Sequence, residues 1–199
     1  MSIHWNIFLI IINTKIMKKH YPKIYDCCEK YWDMKEVMFY VFVDKNVIYA
    51  SNSHVLIKHK TDEIFSSTDD FIDSIPDTGI LIHWKHFKEM TRYGCDNHQI
   101  ENNLIKYKYD NLWCYIPFKI NGDELKYPNA ESVFPKDMKA VDKIGIDSRL
   151  LKMATEAMDF ENRPVKITFY GVQKALLLTH SVSNYPSAKC IVMPALFGD

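Results

Sequence analysis

The side chains that could perform metal or catalytic chemistry lie in small groups scattered along the sequence. His83 and His86 are three positions apart, a spacing at which two ligands on one helical turn could share a metal ion. No nearby thiol or carboxylate completes such a site, so a half-exposed pair at the start of a helix is the better interpretation. We therefore expect neither a metal ion nor another cofactor.

Acid–base and nucleophilic chemistry have no complete set of residues either. Glu156, Asp159 and Glu161 form a small acidic cluster, which is more typical of a solvated helix end than of two catalytic carboxylates. No Ser, Cys or Thr lies in a nucleophile motif such as G-x-S-x-G, and neither glycine-rich phosphate-binding motif is present. The sequence predicts that the protein is not an enzyme.

The cysteines and the apolar N-terminal run predict a reduced, cytoplasmic protein. The cysteines are odd in number and contain no C-x-x-C pair, which argues against a disulfide framework or a zinc site. They are Cys27, Cys28, Cys95, Cys114 and Cys190. The apolar run at residues 7–12 is far too short to span a membrane, so a buried strand is favoured.

Length and composition limit the classes of protein further. The chain has 199 residues, of which 47% are hydrophobic, so it can build a core in one large or two small domains. It has 25 Lys and Arg residues against 25 Asp and Glu residues. This balance excludes a uniformly basic surface of the kind that holds nucleic acid by bulk attraction.

The hydrophobic pattern predicts three successive α+β units, each with a strand, a helix and further strands. The predicted strands are residues 8–12, 37–43, 47–50 and 54–59, then 79–83, 104–109 and 112–120, then 143–146, 165–170, 175–179 and 189–195. The predicted helices are residues 14–32, 84–93 and a third from Asp147 or Ser148 to about residue 159. Residues 60–77 and 121–140 are predicted to be linking loops.

Positive charge is concentrated on the three predicted helices, whereas acids are concentrated in the loops. The cations are Lys15, Lys18, Lys19 and Lys23 on the first helix, Lys85, Lys88 and Arg92 on the second, and Arg149 and Lys152 on the third. For one helix, an ordinary solvated face is the better interpretation. Because all three helices share the pattern, a surface that faces DNA phosphates is the alternative.

Five segments, in order along the chain, resemble the bacterial DNA polymerase III beta subunit family, the DNA sliding clamps. Residues 49–56 (YASNSHVL) resemble its A-T-D-G-H-R-L segment, and residues 127–135 (YPNAESVFP) are similar to its F-P-D-Y-x-x-V-x-P linker. Residues 79–82 with the following basic helix resemble its I-V-P-[RK] segment. Residues 144–151 resemble its I-G-F-N-x-x-Y-L segment, and residues 191–196 (IVMPAL) resemble its V-V-M-P-M-R-L terminus.

The resemblance implies the DNA-clamp fold, an α+β fold of repeated strand–helix–strand units with helices on one face of antiparallel sheets. Residues 1–135 would be a clamp domain with half-units of about 1–65 and 77–125, and residues 136–199 would be a further half-domain. A ring of twelve such units would need four of these chains. We therefore expect a homo-oligomer, with a compact monomer or a two-fold dimer as the alternative.

The resemblance also implies a hydrophobic pocket for short peptides of DNA polymerases and the clamp loader, and non-specific contact with double-stranded DNA by the nine helix cations named above. The pocket residues would be Ser51, Ser53, His54, Leu56, Pro128, Val133, Ile191, Val192, Met193 and Pro194. Val55 and Ser132 depart from the family pattern, where basic residues are common, so acidic partner motifs are expected to bind poorly. No membrane partner is expected.

Two other functions are compatible with the sequence. A clamp mimic or adaptor would bind polymerase or loader peptides without surrounding DNA. An enzyme on an unrelated α+β fold is the third class, against which the incomplete catalytic set argues. The apolar pocket residues and the basic helices together favour a clamp-like processivity factor.

Overall fold

Antiparallel strands are the commonest regular elements of the computed structural model, which describes residues 21–31, 35–65, 70–93, 95–136, 144–158, 165–180 and 185–195. The fold is α+β, as predicted, with one eight-stranded sheet, one three-stranded sheet and short helices. The strand predicted at residues 8–12 lies outside the described residues, as does the helix predicted at residues 14–32 up to residue 20.

The strands and helices follow the predicted pattern most closely in the middle of the chain. The strands are β1 (Tyr40–Val43), β2 (Val47–Ser51), β3 (Val55–Lys60), β4 (Ile80–His83), β5 (Cys95–Glu101), β6 (Leu104–Tyr109), β7 (Leu112–Pro117), β8 (Lys119–Ile120), β9 (Val165–Thr168), β10 (Leu176–His180) and β11 (Lys189–Val192). The α-helices are α1 (Thr61–Ile64), α2 (Phe71–Ser74), α3 (Trp84–Met90) and α4 (Ser148–Ala157). Three 3-10 helices are Ile24–Cys27, Glu36–Phe39 and Ala130–Val133.

The eight-stranded sheet crosses from the first predicted unit to the third. Its strand order is β8-β4-β1-β2-β3-β11-β10-β9, and β5-β6-β7 form the second sheet. Strands β3 and β11 pair antiparallel from Val55 opposite Val192 to Lys58 opposite Lys189. The last described strand of the chain therefore lies beside a strand of its first half.

The two faces of the eight-stranded sheet have different coverings, because successive side chains of a strand point to opposite faces. On the helix face, Ile57 and Val192 belong to a core that also contains residues of α3 and α4. On the pocket face, Leu56 and Ile191 pack with residues of the segment 125–134. These names, helix face and pocket face, are used below.

Strand β5 was not predicted, because its sequence, CDNHQIE, has no hydrophobic alternation. Its pairing with β6 is closed by a two-residue turn at Asn102 and Asn103, whose φ angles of 52° and 59° are in the left-handed region. Asn adopts this region more easily than most residues, so the turn fixes the strand where side-chain pattern does not. The buried His98 packs inward from this strand.

The long first helix is wrong within the described residues. Residues 21–31 contain only the single 3-10 turn Ile24–Cys27, and Cys28 is extended. Pro22 has no N–H to donate and restricts the residue before it, so a helix does not run through this position. Tyr31, near the end of the predicted helix, is 75% exposed.

The acidic stretch 60–77 is more than a polar loop. It contains α1 and α2, and its apolar side chains Ile64, Phe65, Phe71 and Ile75 are buried. Phe65 and Phe71 meet edge to face with ring centroids 4.7 Å apart. The abundant acids on the exposed positions conceal this apolar set, so the composition predicted a loop where part of the core lies.

Several predicted boundaries change without changing the pattern. The strand predicted at residues 112–120 is divided into β7 and β8, which belong to different sheets. The strand predicted at residues 37–43 begins only at Tyr40, after a 3-10 turn. The third helix is confirmed as α4, and the Asp147 carboxylate caps it by accepting the N–H of Arg149 at 2.8 Å.

Candidate functional site: an apolar cavity at the β3–β11 junction

An apolar cavity of about 230 Å³ lies on the pocket face where β3 meets β11. Its floor contains Leu56 and Ile191, which are opposite each other in the register. Its lining consists of Met38, Ser51, Ser53, His54, Val55, Leu56, Tyr127, Pro128, Ala130, Val133, Ile191 and Met193. Four separate segments of the chain therefore form one concave surface.

The rim of the cavity is the tight connection between β2 and β3. Ser53 has a φ of 70°, and the Asn52 side chain accepts the N–H groups of His54 and Val55 at 3.1 and 2.9 Å. The His54 carbonyl in turn accepts the N–H of Met193 at 2.9 Å. The Asn52 side chain thus orders the rim, and one main-chain hydrogen bond joins it to the end of β11.

The outer wall is the segment around the 3-10 turn Ala130–Val133. The Glu131 carboxylate accepts the hydroxyl of Tyr49 at 2.6 Å and forms an ion pair with Lys58, so the wall is attached to two strands of the sheet. The hydrogen bond from Lys58, and to a smaller extent that from Tyr49, lowers the pKa of Glu131 from its usual value. Its side chain is 61% exposed, so the tether contributes modestly.

Aromatic packing fixes the inner end of the same wall. The Tyr127 ring stacks on Phe42 with centroids 5.5 Å apart, and Phe42 stacks on Tyr49 at 6.2 Å. Burial raises the pKa of Tyr127 well above its usual value, so the phenol is neutral. The wall is therefore held by stacking inside and by the Glu131 tether outside.

The structure brings the predicted pocket residues together, apart from two. Val192 is fully buried on the helix face, because it follows Ile191 on the same strand and adjacent side chains alternate. Pro194 is half-buried and does not line the cavity. The placement of the others required the register of β3 and β11, which no local pattern gives.

Four lining residues were not predicted. Val55, Tyr127 and Ala130 lie inside the segments whose resemblance was quoted, so they could have been included from the same signal. Met38 lies in the 3-10 turn Glu36–Phe39, and no motif pointed to it. Its long thioether side chain is flexible and fills irregular space well.

A second depression of about 570 Å³ adjoins the cavity and shares Val133 and Met193 with it. It is more polar, since Lys136, Gln173 and Lys174 contribute to its lining. Met193 is 39% exposed and Val133 is 53% exposed. The two exposed apolar side chains therefore form a ridge between an apolar cavity and a basic, open groove.

The predicted DNA-facing cations that are described lie on or beside the helix face. The 3-10 turn Ile24–Cys27 contacts both α3 and α4, so Lys23, α3 and α4 form one contiguous region. Lys85, Lys88 and Lys152 are exposed. Arg92 lies just beyond the end of α3. Lys15, Lys18 and Lys19 lie outside the described residues.

Half of these described cations have an acidic partner. Lys23 forms an ion pair with Glu156 at 3.5 Å, Arg92 with Glu89 at 2.9 Å, and Arg149 with Asp147 at 2.8 Å. The ion pair and hydrogen bonds with Arg149 lower the pKa of Asp147 to about 2. The helix face is therefore less positive than a list of its lysines and arginines suggests.

Comparison with solved structures identifies this architecture. The beta clamp of Helicobacter pylori bound to a DNA ligase peptide superimposes with a TM-score of 0.64 at 10% sequence identity, over 91% of this chain and 65% of that one. DNA polymerase III subunit beta of Borrelia burgdorferi gives 0.58 at 16% identity, over 88% and 60%. The Bacillus subtilis sliding clamp gives 0.58 at 13% identity, over 88% and 62%.

The chain has the fold of the bacterial sliding clamps. The resemblance that five weak sequence segments indicated is thereby confirmed at the level of the fold. This clamp-fold chain spans about 60% of the length of the clamps that it matches. No protein-family model matches the chain, and no curated protein matches its sequence.

Three reactive side chains of the clamp-fold chain, His83, Cys28 and Cys95, are held within the fold. His83 caps α3, its Nδ1 accepting the N–H of Lys85 at 3.3 Å, and burial lowers its pKa. Burial raises the pKa of the Cys28 thiol well above its usual value and that of Cys95 to about 11, so both thiols are protonated at neutral pH. No helix in the described ranges is long and apolar enough to cross a membrane.

Proposed function

We propose that this protein is a clamp-like processivity factor, without catalytic activity of its own, that keeps a DNA polymerase on duplex DNA. The observation that carries the proposal is the apolar cavity built from the β2–β3 rim, the wall at Ala130–Val133 and the end of β11. In the Helicobacter pylori structure, a protein of the same fold binds a DNA ligase peptide. The partners proposed here are peptide motifs of a DNA polymerase and of its clamp loader.

The chemistry of the cavity fits apolar peptide anchors. Leu56 and Ile191 give a buried floor, and Met193 gives a flexible ridge that can close over different side chains. The hydroxyl groups of Ser51 and Ser53 at the rim can orient a peptide main chain. A small apolar cavity with a few polar groups at its edge is typical of a ligand site.

The exposed lysines on the helix face support the DNA part of the proposal. Lys85, Lys88 and Lys152 would meet phosphates without reading sequence. A protein that surrounds DNA needs only weak contacts of this kind, so a neutral total charge is compatible with it. The proposed ring is a homo-oligomer of four chains with about three units each.

The peptide site is tested with the exposed ridge rather than the floor. Leu56 is 5% exposed and part of the core, so its truncation would also destabilise the fold. The double variant Met193→Ala and Val133→Ala should lower affinity for a labelled DNA ligase peptide by roughly tenfold or more, since apolar contacts at both sides are lost. Fluorescence polarisation measures the affinity.

The matched control is Val172→Ala, which truncates a valine that is 58% exposed and lies outside the cavity lining. This variant should bind the peptide like the wild type. Circular dichroism should show that the double variant folds like the wild type. If the folded double variant binds the peptide with unchanged affinity, the cavity is not the peptide site.

An adaptor that binds partner peptides without surrounding DNA is the second candidate. The ion pairs of Lys23, Arg92 and Arg149 favour it, because they reduce the charge offered to phosphates. Retention on nicked circular DNA that is lost when the DNA is linearised supports the clamp. Peptide binding with equal or no retention on both DNA forms supports the adaptor.

A further inference from the structure

One face of the three-stranded sheet carries aromatic rings beside lysines. Trp113 and Tyr115 are two positions apart on β7, so their side chains lie on the same face of the sheet. The register places Lys108 of β6 opposite Trp113, and it places Lys106 opposite Tyr115. Side chains of the other face, such as Ile105, are buried in the core. The four side chains therefore share the open face, which is called the aromatic face below.

The two rings of the aromatic face have no role in the sites described above. Trp113 is 46% exposed and Tyr115 is 52% exposed, and neither lines the peptide cavity or the basic groove beside it. Strand β7 pairs only with β6 among the described residues, and its sequence, LWCYIP, contains no charged residue. The rings lie about 6.5 to 7 Å apart along the strand. They form an uncharged row at the edge of the sheet.

The ammonium group of Lys106 holds the two rings in place. Its Nζ lies 4.5 Å from the ring centroid of Trp113 and 2.9 Å from a carboxylate oxygen of Glu101. The hydrogen bond with Glu101, with a smaller contribution from Tyr115, raises the pKa of Lys106, so the group is charged at neutral pH. Both rings are therefore next to one cation before any ligand binds, which reduces the entropy lost on binding.

Lys108 supplies a positive charge that is not already used. It makes no ion pair with the described residues, although Asp96 of β5 lies opposite it in the register. The acids of this face, Asp96 and Glu101, both belong to β5, on the far side of β6 from the rings. The aromatic face thus changes from uncharged rings on β7 to lysines on β6 and acids on β5.

This order of side chains matches the chemistry of a single nucleic-acid strand. Aromatic rings on an open sheet stack unpaired bases, and neighbouring cations contact the phosphates. We propose that the aromatic face binds single-stranded DNA, with bases stacked on Trp113 and Tyr115 and a phosphate at Lys108. The carboxylates on β5 repel phosphates, so the strand is expected to follow β7 and β6. Duplex DNA does not suit these rings, because its bases are stacked inside the helix.

The aromatic face is separate from the duplex contacts proposed for the helix face. The buried side of β6 belongs to the same core as Phe87 and Met90 of α3, so the rings lie on the side of the sheet that faces away from this helix. The inference adds a second DNA-binding surface with a different ligand. Only the choice of DNA rather than RNA rests on the proposed function, because stacking by itself suits both.

Binding of a labelled oligothymidine to the wild-type protein, followed by fluorescence anisotropy, gives the first test. An abasic oligonucleotide of the same length has the phosphates without the bases and should bind roughly tenfold more weakly or less. The salt slope for oligothymidine should be no steeper than about −1, since each single-strand phosphate contact contributes about −0.7. Equal affinity for the two oligonucleotides overturns the proposal, and so does the absence of oligothymidine binding.

Replacement of the two rings gives the second test. Trp113→Ala with Tyr115→Ala should lower oligothymidine affinity roughly tenfold or more, because two stacking surfaces are lost. Trp113→Phe with Tyr115→Phe keeps both rings and should bind within about threefold of the wild type. The matched control is Tyr31→Ala, at a tyrosine that is 75% exposed elsewhere, and it should bind like the wild type. A double alanine variant that folds by circular dichroism and keeps full affinity overturns the proposal.

The same variants separate this inference from the proposed function. The double alanine variant should keep the wild-type affinity for the DNA ligase peptide and for duplex DNA. If alanines at Lys85, Lys88 and Lys152 abolish oligothymidine binding and the ring variant does not, the single strand binds the helix face and the inference is wrong. If binding of oligothymidine depends on the rings but nicked circular DNA is not retained, the proposed clamp function fails alone. Tighter binding of oligouridine than of oligothymidine overturns the choice of DNA.

Discussion

The two faces of the eight-stranded sheet differ in how they are covered and in what they expose. The pocket face is covered incompletely by the segment 125–134, and the uncovered part is an apolar cavity ending at the exposed Met193. On the helix face, α3, α4 and the turn Ile24–Cys27 contribute to the core, and Lys85, Lys88 and Lys152 are exposed on the helices. One face therefore has an open apolar cavity, and the other carries exposed cations.

The two faces also differ in how far apart in sequence their contributing side chains lie. The cavity combines apolar side chains from four separate segments of the chain. The charges of the helix face are partly cancelled by acids within three positions, as in Arg92 with Glu89 and Arg149 with Asp147. The number of cations along a helix therefore overstates its positive surface potential. The apolar cavity, in contrast, is larger than any one of its segments suggests.

Lowering the pH should destabilise the packing of α4 against β3 on the helix face. His59 is fully buried on β3, its Nε2 lies 2.9 Å from the Ala157 carbonyl of α4, and burial lowers its pKa to about 4. In the unfolded chain the pKa of histidine is near 6.5. Between about pH 4 and pH 6.5, the unfolded chain therefore binds a proton that the folded protein does not. Stability is therefore greatest above about pH 6.5 and falls by about 2 kcal/mol between pH 7 and pH 5.

Urea unfolding at the two pH values measures this loss, and His59→Gln is the control. Glutamine can donate to the Ala157 carbonyl but does not titrate, so the variant should lose about 2 kcal/mol less than the wild type over the same interval. Equal losses in the two proteins would show that another group carries the pH dependence.

The partly cancelled charge predicts unequal effects among the helix-face cations. Lys85, Lys88 and Lys152 make no ion pair with the described residues, so their triple alanine variant should lower affinity for duplex DNA roughly tenfold at low salt and reduce the salt slope by about 2 to 3. Arg92→Ala with Arg149→Ala should reduce the slope by less than about 1, because both cations already have partners.

Binding titrations at several salt concentrations measure both slopes. Equal slopes for the triple lysine variant and the wild type would contradict a DNA-facing role for α3 and α4. A larger effect of the arginine pair would show that DNA displaces the acidic partners.

The smallest effect is expected at the tether of the cavity wall. Glu131→Ala removes both the hydrogen bond from Tyr49 and the ion pair with Lys58, so the wall at Ala130–Val133 is held less firmly. Because the tether is exposed, peptide affinity should fall only about twofold to fivefold. Tyr49→Phe removes the hydrogen bond alone, so its peptide affinity should lie between that of Glu131→Ala and that of the wild type.

Isothermal titration with the DNA ligase peptide measures this difference. Full affinity in Glu131→Ala would mean that the stacking of Tyr127 on Phe42 is sufficient to hold the wall.

The sequence predicted most of the strands because apolar residues alternate where one face is buried. Strand β6 was predicted with its observed bounds, and the Asp147 cap located the start of α4. The same reasoning failed at β5, whose register is set by the turn at Asn102 and Asn103. It failed again at residues 60–77, where exposed acids conceal four buried apolar side chains.

The candidate site shows the same division. Ser51, Leu56 and Met193 were predicted from short segments, and the division of the chain into domains and the binding role of these residues remain predictions. Val192 could not be separated from Ile191 without the register of β3 and β11. Met38 could not be found at all, since it reaches the cavity only through the packing of its 3-10 turn.

The sequence by itself determined the local periodicity, the helix cap and the short apolar segments that meet at the β3–β11 junction. Only the tertiary structure decided which side of each strand faces the cavity, which helix cations have acidic partners and which sheet edge is left uncharged and uncovered within the described residues. The physical reason is range: periodicity and turns depend on neighbouring residues, whereas register, ion pairs and edges depend on residues brought together from distant parts of the chain.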